Sequence, residues 1–573
     1  MRMEARMASA EPLLIGVTSH RNLVAEEIPL LREAVREFVL ALRAQCPALE
    51  LTVLSALAAG GDQLVAEEAF ALGARVVAVL PMARAEYARD FADGVERATF
   101  EALCARATLI EMPVLDALDA GVADDPPTRV RQYAQAGVYI ASHCHVLLAL
   151  WDGRSNGRTG GTADVVAYHL DGIKPASLER RRDQVALNPF GVGSERVALH
   201  VVCSRDQPDG APATPLRPLQ VYWRSGDTVT AGLESIPDEL HRTLARLADW
   251  NADVVRHDAA IATSARGVAH GVAATCTDSP IERRFAAADW LALHYQRRVL
   301  LAMRLLYTLA ACMGIAFIVY DQLAQDSMIF AFLALFAIGV GIDALARRHA
   351  WHRKYLDYRA LAEGLRVQAY WRRAGLAVSG DAEFAHDDFL QKQDVELDWI
   401  RNVMRSAAVE AATQPAPRVD LERAIEDWVG HDRGGGQLGY YARRSIERAR
   451  RHRLTEGLGA ASLWVGIGIC VVLALTVLVL PKEWKTVLVA AMGAFSIIAA
   501  VREAYAYRKA DKELIKQYRY MQRIFAQARR ALDRADTPQH KRRVLRALGE
   551  AALVEHAEWT LMHRGRPLER ARI

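Results

Sequence analysis

Four long apolar segments in the C-terminal half limit what this chain can fold into more than any other feature. They contain no Asp, Glu, Lys or Arg and cover residues 305–320, 327–342, 458–480 and 486–501. A bilayer-spanning helix needs roughly 20 apolar residues, so the third segment is long enough alone. The other three need flanking residues, such as a snorkelling Arg304, to complete a span. Buried core helices of a large soluble bundle are the alternative, and we predict four transmembrane helices in two hairpins.

Basic residues flank these segments unevenly. The stretch "RRHAWHRK" follows the second segment and "RRSIERARRHR" precedes the third, whereas the short turns "DQLAQDS" and "PKEWK" hold few cations. Because Lys and Arg accumulate on the cytoplasmic side of a membrane, we predict that both termini and the middle segment are cytoplasmic. Each apolar hairpin is followed by a long charged and aromatic stretch, which predicts a long cytoplasmic helix after each.

The first third of the chain alternates apolar runs with amphipathic stretches. Runs such as "PLLIGVTS", "LELTVLSAL", "RVVAVLP" and "HVLLALWDG" are separated by helical patterns, and two later runs are typical of further strands or a hairpin. Strands that are apolar throughout indicate a parallel sheet covered by helices on both faces. The predicted fold is therefore an α/β Rossmann-like domain followed by an all-α membrane domain.

Composition excludes several other classes of protein. A net charge of +4 over 573 residues gives no signature of nucleic-acid binding. The seven cysteines include no CxxC pair, which is typical of reduced thiols. The N-terminal stretch "MRMEARMASAEP" contains acidic residues and no apolar core, so we expect no cleaved secretion signal.

Four loops at one sheet edge carry the candidate ligand-binding residues. The carboxyl ends of parallel strands meet at the same edge, where open α/β sheets bind ligands. Glycines allow a phosphate to approach the backbone, and helix N-termini and arginine favour anions. The candidates are Gly16, Thr18, Ser19, His20, Arg21, Ser55, Gly60, Gly61, Asp62, Pro81, Tyr87, Asp152, Gly153, Gly160, Gly161 and Thr162. The competing interpretation of the first loop is a simple capped helix turn.

The same loops resemble a known family. The stretches "GVTSHR", "SALAAGGDQLVAEEA", "AVLPMARAEYARDF" and "VLLALWDGRSNGRTGGTADVV" occur in the order found in the SLOG domain, a Rossmann-like fold related to Lonely guy phosphoribohydrolases and DprA. The C-terminal stretches "YRALAEGLRVQAYWRRAG" and "QLGYYARRSIERARRHR" resemble the SLATT class of transmembrane domains. The resemblance implies a membrane effector triggered by a nucleotide or ADP-ribose-type ligand, which a separate synthase produces in bacterial antiphage defence.

One departure from the family bears on catalysis. Lonely guy enzymes carry PGGxGTxxE, whereas this chain has "TGGTADVV", with Val165 in place of the glutamate and Asp164 one position early. We therefore expect no catalytic residue, and a membrane-anchored nucleotide or NAD hydrolase is the alternative. Glu67 and Glu68 are expected to face solvent on a helix. His143 and His145 are expected to share a face at the start of a strand, and we predict no metal site because no second ligand cluster follows.

These expectations define a domain plan and a function. We predict a nucleotide-sensing domain at 10–225, a helical linker at 235–298, and two transmembrane hairpins with their cytoplasmic helices at 299–413 and 437–573. The protein is expected to lie in the bacterial inner membrane and to disrupt or open the lipid bilayer when its sensing domain binds the nucleotide-derived signal. We also expect it to form a homo-oligomer and to bind no nucleic acid. A ligand-gated ion channel outside defence is a further alternative.

Overall fold

The structure is a computed structural model in which most of the chain is described. The described residues are 10–91, 94–114, 126–155, 160–172, 196–269, 279–323, 325–376, 389–390, 395–415, 419–431, 434–476, 478–509 and 511–564. They divide into two compact units. One contains Met1–Ala288 and Ala360–Val419, and the other contains Asp289–Arg359 and Asp420–Ile573.

An eight-stranded sheet forms the centre of the first unit. The strands are β1 (Leu13–Ser19), β2 (Leu51–Ser55), β3 (Arg75–Leu80), β4 (Thr108–Glu111), β5 (Val146–Trp151), β6 (Val197–Val202), β7 (Val221–Ser225) and β8 (Thr228–Ala231). Their order is β4-β3-β2-β1-β5-β6-β7-β8. The first six strands run parallel, and β7 and β8 form an antiparallel hairpin at one edge. The predicted α/β architecture is thus confirmed, with a mixed sheet in which parallel strands dominate.

Helices connect the strands and cover the sheet. They are α1 (Ile28–Gln45), α2 (Gly61–Ala71), α3 (Arg84–Tyr87), α4 (Gly94–Arg106), α5 (Pro126–His143) and α6 (Thr162–Asp171). All six residues of β5 are buried, which explains why this strand is apolar on both faces. A core cluster joins β5 to α5 and α6 on one face, and Phe38 of α1 packs edge-on against Trp223 of β7 at 5.9 Å between ring centres.

The first unit also contains helices that follow the sheet in sequence. They are α7 (Asp238–Ala269), the start of α8 (Pro280–Gln322), the larger part of α10 (Trp351–Arg373) and α11 (Asp398–Ala412). Val409 of α11 belongs to the core cluster under the sheet. The His145 ring Nε2 lies 3.1 Å from the backbone oxygen of Asn402. Segments distant in sequence therefore complete the core of the sheet domain.

The second unit is entirely helical within the described residues. Besides the rest of α8 and α10, it contains α9 (Met328–Arg348), α12 (Leu421–Trp428), α13 (Gly436–Thr476), α14 (Lys482–Lys509), α15 (Asp511–Asp533) and α16 (Pro538–Arg564). Four of its helices are long and apolar enough to cross a membrane, as predicted. Their apolar side chains are exposed, with Phe330 at 72%, Trp464 at 69% and Leu475 at 81%. Such a surface contradicts the core-helix alternative, because a soluble protein rarely exposes so large an apolar patch.

The first and fourth apolar segments pack against each other through glycines. A side chain at Gly314 would lie 2.7 Å from Ile497, and one at Gly493 would lie 2.9 Å from Ile318. Nearer the start of α8, the Tyr307 hydroxyl approaches the backbone oxygen of Ala504 at 3.4 Å. The α14 partner moves back by as many residues as the α8 residue advances, so these two segments run antiparallel in register.

Four other glycines lie in the second and third apolar segments, in the stretches "GVGI" and "GIGI", and they are packed less tightly. At Gly341 and Gly468 an added Cβ would meet nothing within 4 Å, and at Gly339 it would only touch leucines at 4.0 Å. At Gly466 an added Cβ would lie about 3.7 Å from Phe495 of α14, which is an ordinary contact distance. Among the described glycines of the apolar segments, Gly314 and Gly493 pack tightly against apolar side chains, and an added Cβ at Gly459 would lie 2.4 Å from the Arg502 guanidinium.

Candidate ligand-binding cleft

A cleft of about 290 Å³ opens at the carboxyl edge of the sheet. It lies where β1 stands between β2 and β5. After β1 the chain builds one side of the sheet through β2, β3 and β4, and β5 then begins the other side. This is a topological switch point, where loops on either side diverge and leave a crevice that α/β folds use for ligands.

The loop after β1 brings one unpaired cation to the cleft. The exposed Arg21 guanidinium stands over the Tyr133 ring, 5.7 Å from its centre. Among the described residues Arg21 forms no ion pair. The neighbouring Ser19 hydroxyl instead donates to the Asp62 carboxylate at 2.5 Å. Arg21 is thus free to attract an anion, while Ser19 is occupied by the next loop.

Asp62 lies in the first turn of α2 at the cleft wall and is almost completely buried. Burial raises its pKa to about 6, and hydrogen bonds from Ser19 and the charge of Arg21 oppose this shift. Ser55, at the end of β2, approaches the second carboxylate oxygen at 3.4 Å. A carboxyl group with this pKa changes its charge near neutral pH.

A second buried carboxylate holds the loop after β5. Asp152 has no exposed surface, and its Oδ2 lies 2.8 Å from Nε of Arg205. The backbone N–H of Asp152 donates to Nε2 of His20 at 3.1 Å. Burial lowers the pKa of His20, and its Nε2 also lies 3.1 Å from Oδ1 of Asp152. These contacts lock the loops after β1, β5 and β6 together.

The N-terminus of α6 faces the same cleft. Thr162 Oγ1 donates to the backbone oxygen of Ser19 at 2.9 Å, and the backbone N–H of Gly160 donates to Asp164 Oδ2 at 2.9 Å. The N–H groups of Gly161, Thr162 and Ala163 have no hydrogen-bond acceptor within the described residues. Three such donors at a helix N-terminus form a site for a phosphate or carboxylate. Asn156, Gly157, Arg158 and Thr159 of the same loop lie outside the described residues.

Ten of the sixteen predicted residues line the cleft. They are Thr18, Ser19, His20, Arg21, Asp62, Pro81, Tyr87, Gly160, Gly161 and Thr162. Ser55 and Asp152 stand behind them as hydrogen-bond partners of Asp62 and of His20.

The remaining glycines have packing roles. Gly16 does not end its strand as expected, because β1 continues to Ser19 and a side chain at Gly16 would lie 2.8 Å from Cys144. Gly60 has φ +86°, and Gly61 would collide with Ser19 if it carried a Cβ. Gly153 has φ +78° and lies against Leu216. These residues let the loops approach each other and do not themselves line the cleft.

Sequence reasoning missed five polar or charged residues of the cleft. They are Asn22, Tyr133, Arg154, Arg205 and Gln207. Arg154 follows Asp152 by two positions, and Arg205 follows the end of β6, so both come from loops at the predicted edge. Tyr133 lies inside α5, and no local pattern distinguishes it from other helical tyrosines.

Two further expectations are wrong in detail. Glu68 is buried and pairs with Arg32 and Arg36 of α1 at 3.0 and 2.9 Å, because α1 covers that face of α2. His143 and His145 do not share a strand face, since His143 closes α5 and His145 precedes β5. Burial lowers the pKa of both rings to about 3. Within the described chain no three His, Cys, Asp or Glu residues are grouped as metal ligands.

The described part of the cleft combines the Arg21 guanidinium, which has no ion pair, with open backbone donors and a titrating carboxyl group. This set suits a ligand with a phosphate, and the ring of Tyr133 offers a partly buried aromatic face beside it. The resemblance to SLOG and SLATT domains remains a prediction. Comparison with models of known protein families and with curated proteins gives no significant match.

Proposed function

We propose that this protein is a membrane-bound effector that binds a nucleotide-derived second messenger in the cleft at the β1–β5 switch point. Binding would open or disrupt the bilayer, and the family resemblance suggests bacterial antiphage defence as the setting. The observation that carries the proposal is the free Arg21 guanidinium in one cleft with the three open N–H groups at the start of α6.

The dimensions and chemistry of the cleft support this class of ligand. Its volume of about 290 Å³ is at the lower end for small-molecule sites, which suits a nucleoside phosphate or one half of a dinucleotide. The α6 N-terminus supplies partial positive charge for one phosphate, and Arg21 supplies a full charge. Gly161 has φ −80°, an ordinary conformation, so its missing side chain serves access to the backbone.

The helical unit supports a role at the membrane. Its four candidate spans expose apolar side chains that lipid would cover. Basic stretches flank those ends of the spans that lie opposite the short turns of the two hairpins. The positive-inside bias then favours cytoplasmic termini in a bacterial cell membrane. A homo-oligomer would supply the several helices that a water-filled path requires.

Ligand binding changes the membrane unit only if the ligand prefers one state of the protein. A preference of about 5.5 kcal/mol moves a population from 1:99 to 99:1. In our proposal the signal passes through α7 and the first turns of α8, which lead from the sheet domain toward the first apolar segment.

The test uses full-length protein in detergent and ADP-ribose as the probe, beside the small molecules released from protein purified from infected cells. Arg21→Ala removes a charge-assisted bond of about 1.5–3 kcal/mol, so calorimetry should show affinity reduced roughly tenfold to a hundredfold. Gly161→Val should abolish binding sterically without backbone strain. The control Arg347→Ala alters a residue paired with Asp343 in α9 and should bind like the parent.

If both cleft variants bind every recovered nucleotide as tightly as the parent, the loop after β1 takes no part in binding. The alternative of a capped helix turn is wrong, because α1 begins only at Ile28 and has no side-chain cap. If infected cells yield no bound nucleotide and ADP-ribose does not bind, the sensing proposal fails.

The second candidate is a membrane-anchored hydrolase of nucleotides or NAD. The observation in its favour is Asp62, because a carboxyl group with a pKa of about 6 is suited to proton transfer near neutral pH. The absence of a glutamate at Val165 weighs against it, as does the bond that occupies Asp164. Release of nicotinamide or free base by the purified parent, but not by Asp62→Asn, would favour the hydrolase over the sensor.

A further inference from the structure

A second cleft of about 420 Å³ lies between α13 and α15 in the helical unit. Arg450 and Arg453 of α13 and Arg519 of α15 line it, and Ile446 and Leu454 complete its walls. Arg450 follows Ile446 by four positions, and Arg453 and Leu454 follow Arg450 by three and four, so these residues border one face of the helix. The cleft is therefore a basic groove between two helices with apolar margins.

The acidic residues near this cleft are engaged elsewhere. Glu447 pairs with Arg444 at 3.0 Å and with Arg451 at 2.5 Å. Glu456 pairs with Lys512 at 2.8 Å. In the part of the chain that the structure describes, none of the three cleft arginines forms an ion pair. Three exposed arginines therefore line one cleft, and no anionic side chain among the described residues neutralises them.

The position of the cleft along α13 indicates the kind of anion. The third apolar segment begins at Leu458 in the same helix, five residues after Arg453 and eight after Arg450. At 1.5 Å per residue these distances are about 7.5 and 12 Å. The polar head-group layer on each side of a bilayer is roughly 5–7 Å thick. If the apolar segment spans the membrane, the flexible side chains of Arg450 and Arg453 therefore reach the layer that contains the lipid phosphate groups.

We propose that this cleft binds the phosphate of an anionic phospholipid. The guanidinium groups hold the phosphate oxygens, and the exposed Leu454 lies toward the acyl chains. Basic grooves beside transmembrane helices on the cytoplasmic side are suited to such head groups. The occupant is a lipid because the site continues directly into the apolar surface of α13. The proposal requires that α13 enters a membrane, and it is independent of any ligand at the sheet.

The test titrates full-length protein in a neutral detergent with dihexanoyl-phosphatidylglycerol and counts bound lipid by native mass spectrometry. Dihexanoyl-phosphatidylcholine and inorganic phosphate are titrated in parallel. An arginine near an anionic lipid contributes about a fivefold change in affinity, so the triple variant Arg450→Ala, Arg453→Ala, Arg519→Ala should bind roughly a hundredfold more weakly. Phosphatidylcholine should not compete with phosphatidylglycerol.

The matched control removes three other exposed arginines for which the structure describes no ion pair. The control is Arg530→Ala, Arg534→Ala, Arg543→Ala, which changes the net charge equally and should bind like the parent. A triple lysine variant at the cleft keeps the charge and should retain most of the affinity, which separates loss of binding from loss of folding.

Two results would overturn the proposal. The first is equal binding of phosphatidylglycerol by the cleft variant and the control. The second is binding of inorganic phosphate as tight as that of phosphatidylglycerol, which would identify a site for a free anion.

Discussion

The buried carboxyl group of Asp62 should make the stability of the sheet domain depend on pH. Its carboxyl group is buried at the cleft wall, and burial raises its pKa from an ordinary 3.8 to about 6. The unfolded chain therefore loses this proton at a lower pH than the folded chain. Between about pH 4 and pH 6 the folded state carries a proton that the unfolded state has lost, so its stability falls as the pH rises through this window.

The size of the effect follows from the two pKa values. Each pKa unit corresponds to 1.36 kcal/mol, so ionised Asp62 costs the folded state about 3 kcal/mol above pH 6. Asp62→Asn removes the titration but keeps an oxygen that accepts the Ser19 hydroxyl. We expect the free energy of unfolding of this variant, relative to the parent, to rise by about 2 kcal/mol from pH 4 to pH 7. In a domain of this size that is a shift in apparent Tm of about 5 °C.

The assay is thermal unfolding of full-length protein in detergent, followed by tryptophan fluorescence at several pH values. Trp223 and Trp151 lie in the sheet domain and report on its transition. A suitable control is Asp249→Asn on the exposed side of α7, which should follow the parent at every pH. Parallel pH profiles for the parent and Asp62→Asn would refute the reasoning, because the carboxyl group would then titrate as in the unfolded chain.

Three further predictions concern the backbone, a buried charge and the membrane. Gly60→Ala should lower the free energy of unfolding by about 1–3 kcal/mol and weaken ADP-ribose binding. Gly60 has φ +86°, and a Cβ there would lie 2.0 Å from the backbone oxygen of Arg21. Denaturant unfolding measures the first effect and calorimetry the second. Arg284→Ala should lower the free energy of unfolding by about 3–5 kcal/mol, because it leaves the buried carboxylate of Glu11 without its cation. Denaturant unfolding measures this change, and a loss below about 1 kcal/mol contradicts the prediction. In intact cells, a cysteine introduced at Lys482 should react with an impermeant maleimide and one at Gly434 should not; the reverse pattern excludes the proposed orientation.

The sheet and the position of its cleft could be predicted because their signals are local. Apolar runs mark the buried parallel strands, and the loops after β1, β2, β3 and β5 must meet at one edge. Ten predicted residues therefore line one cleft. Gly16 was misplaced because an apolar run does not show where its strand ends.

The parts that escaped prediction depend on contacts between distant segments. Helix α11 contains Arg401 and Arg405, which suggest a solvated face, yet both are buried in the structure. The Ser406 hydroxyl donates to the carboxylate of Glu11, almost four hundred residues earlier. No periodicity or motif announces such a pair, since the environment of each residue is supplied by the other.

Contacts between distant parts of the chain also could not be predicted for the four apolar segments. Hydropathy locates them, because apolar length alone decides whether a helix can span. It does not identify which glycines are tightly packed, as Gly314 and Gly341 show. Both lie in apolar segments, and only the neighbouring helix distinguishes them.

The contact between the first and fourth apolar segments has a consequence for how the two halves of the helical unit are joined. In lipid, helices gain little from hiding apolar surface, so close packing such as that of Gly314 with Ile497 carries much of the attraction. This contact joins the first apolar hairpin directly to the second one. The two hairpins, each with the helix that follows it, should therefore reassemble when they are produced as two separate polypeptides. Any water-filled path through this unit should form along helix faces other than the contact between α8 and α14.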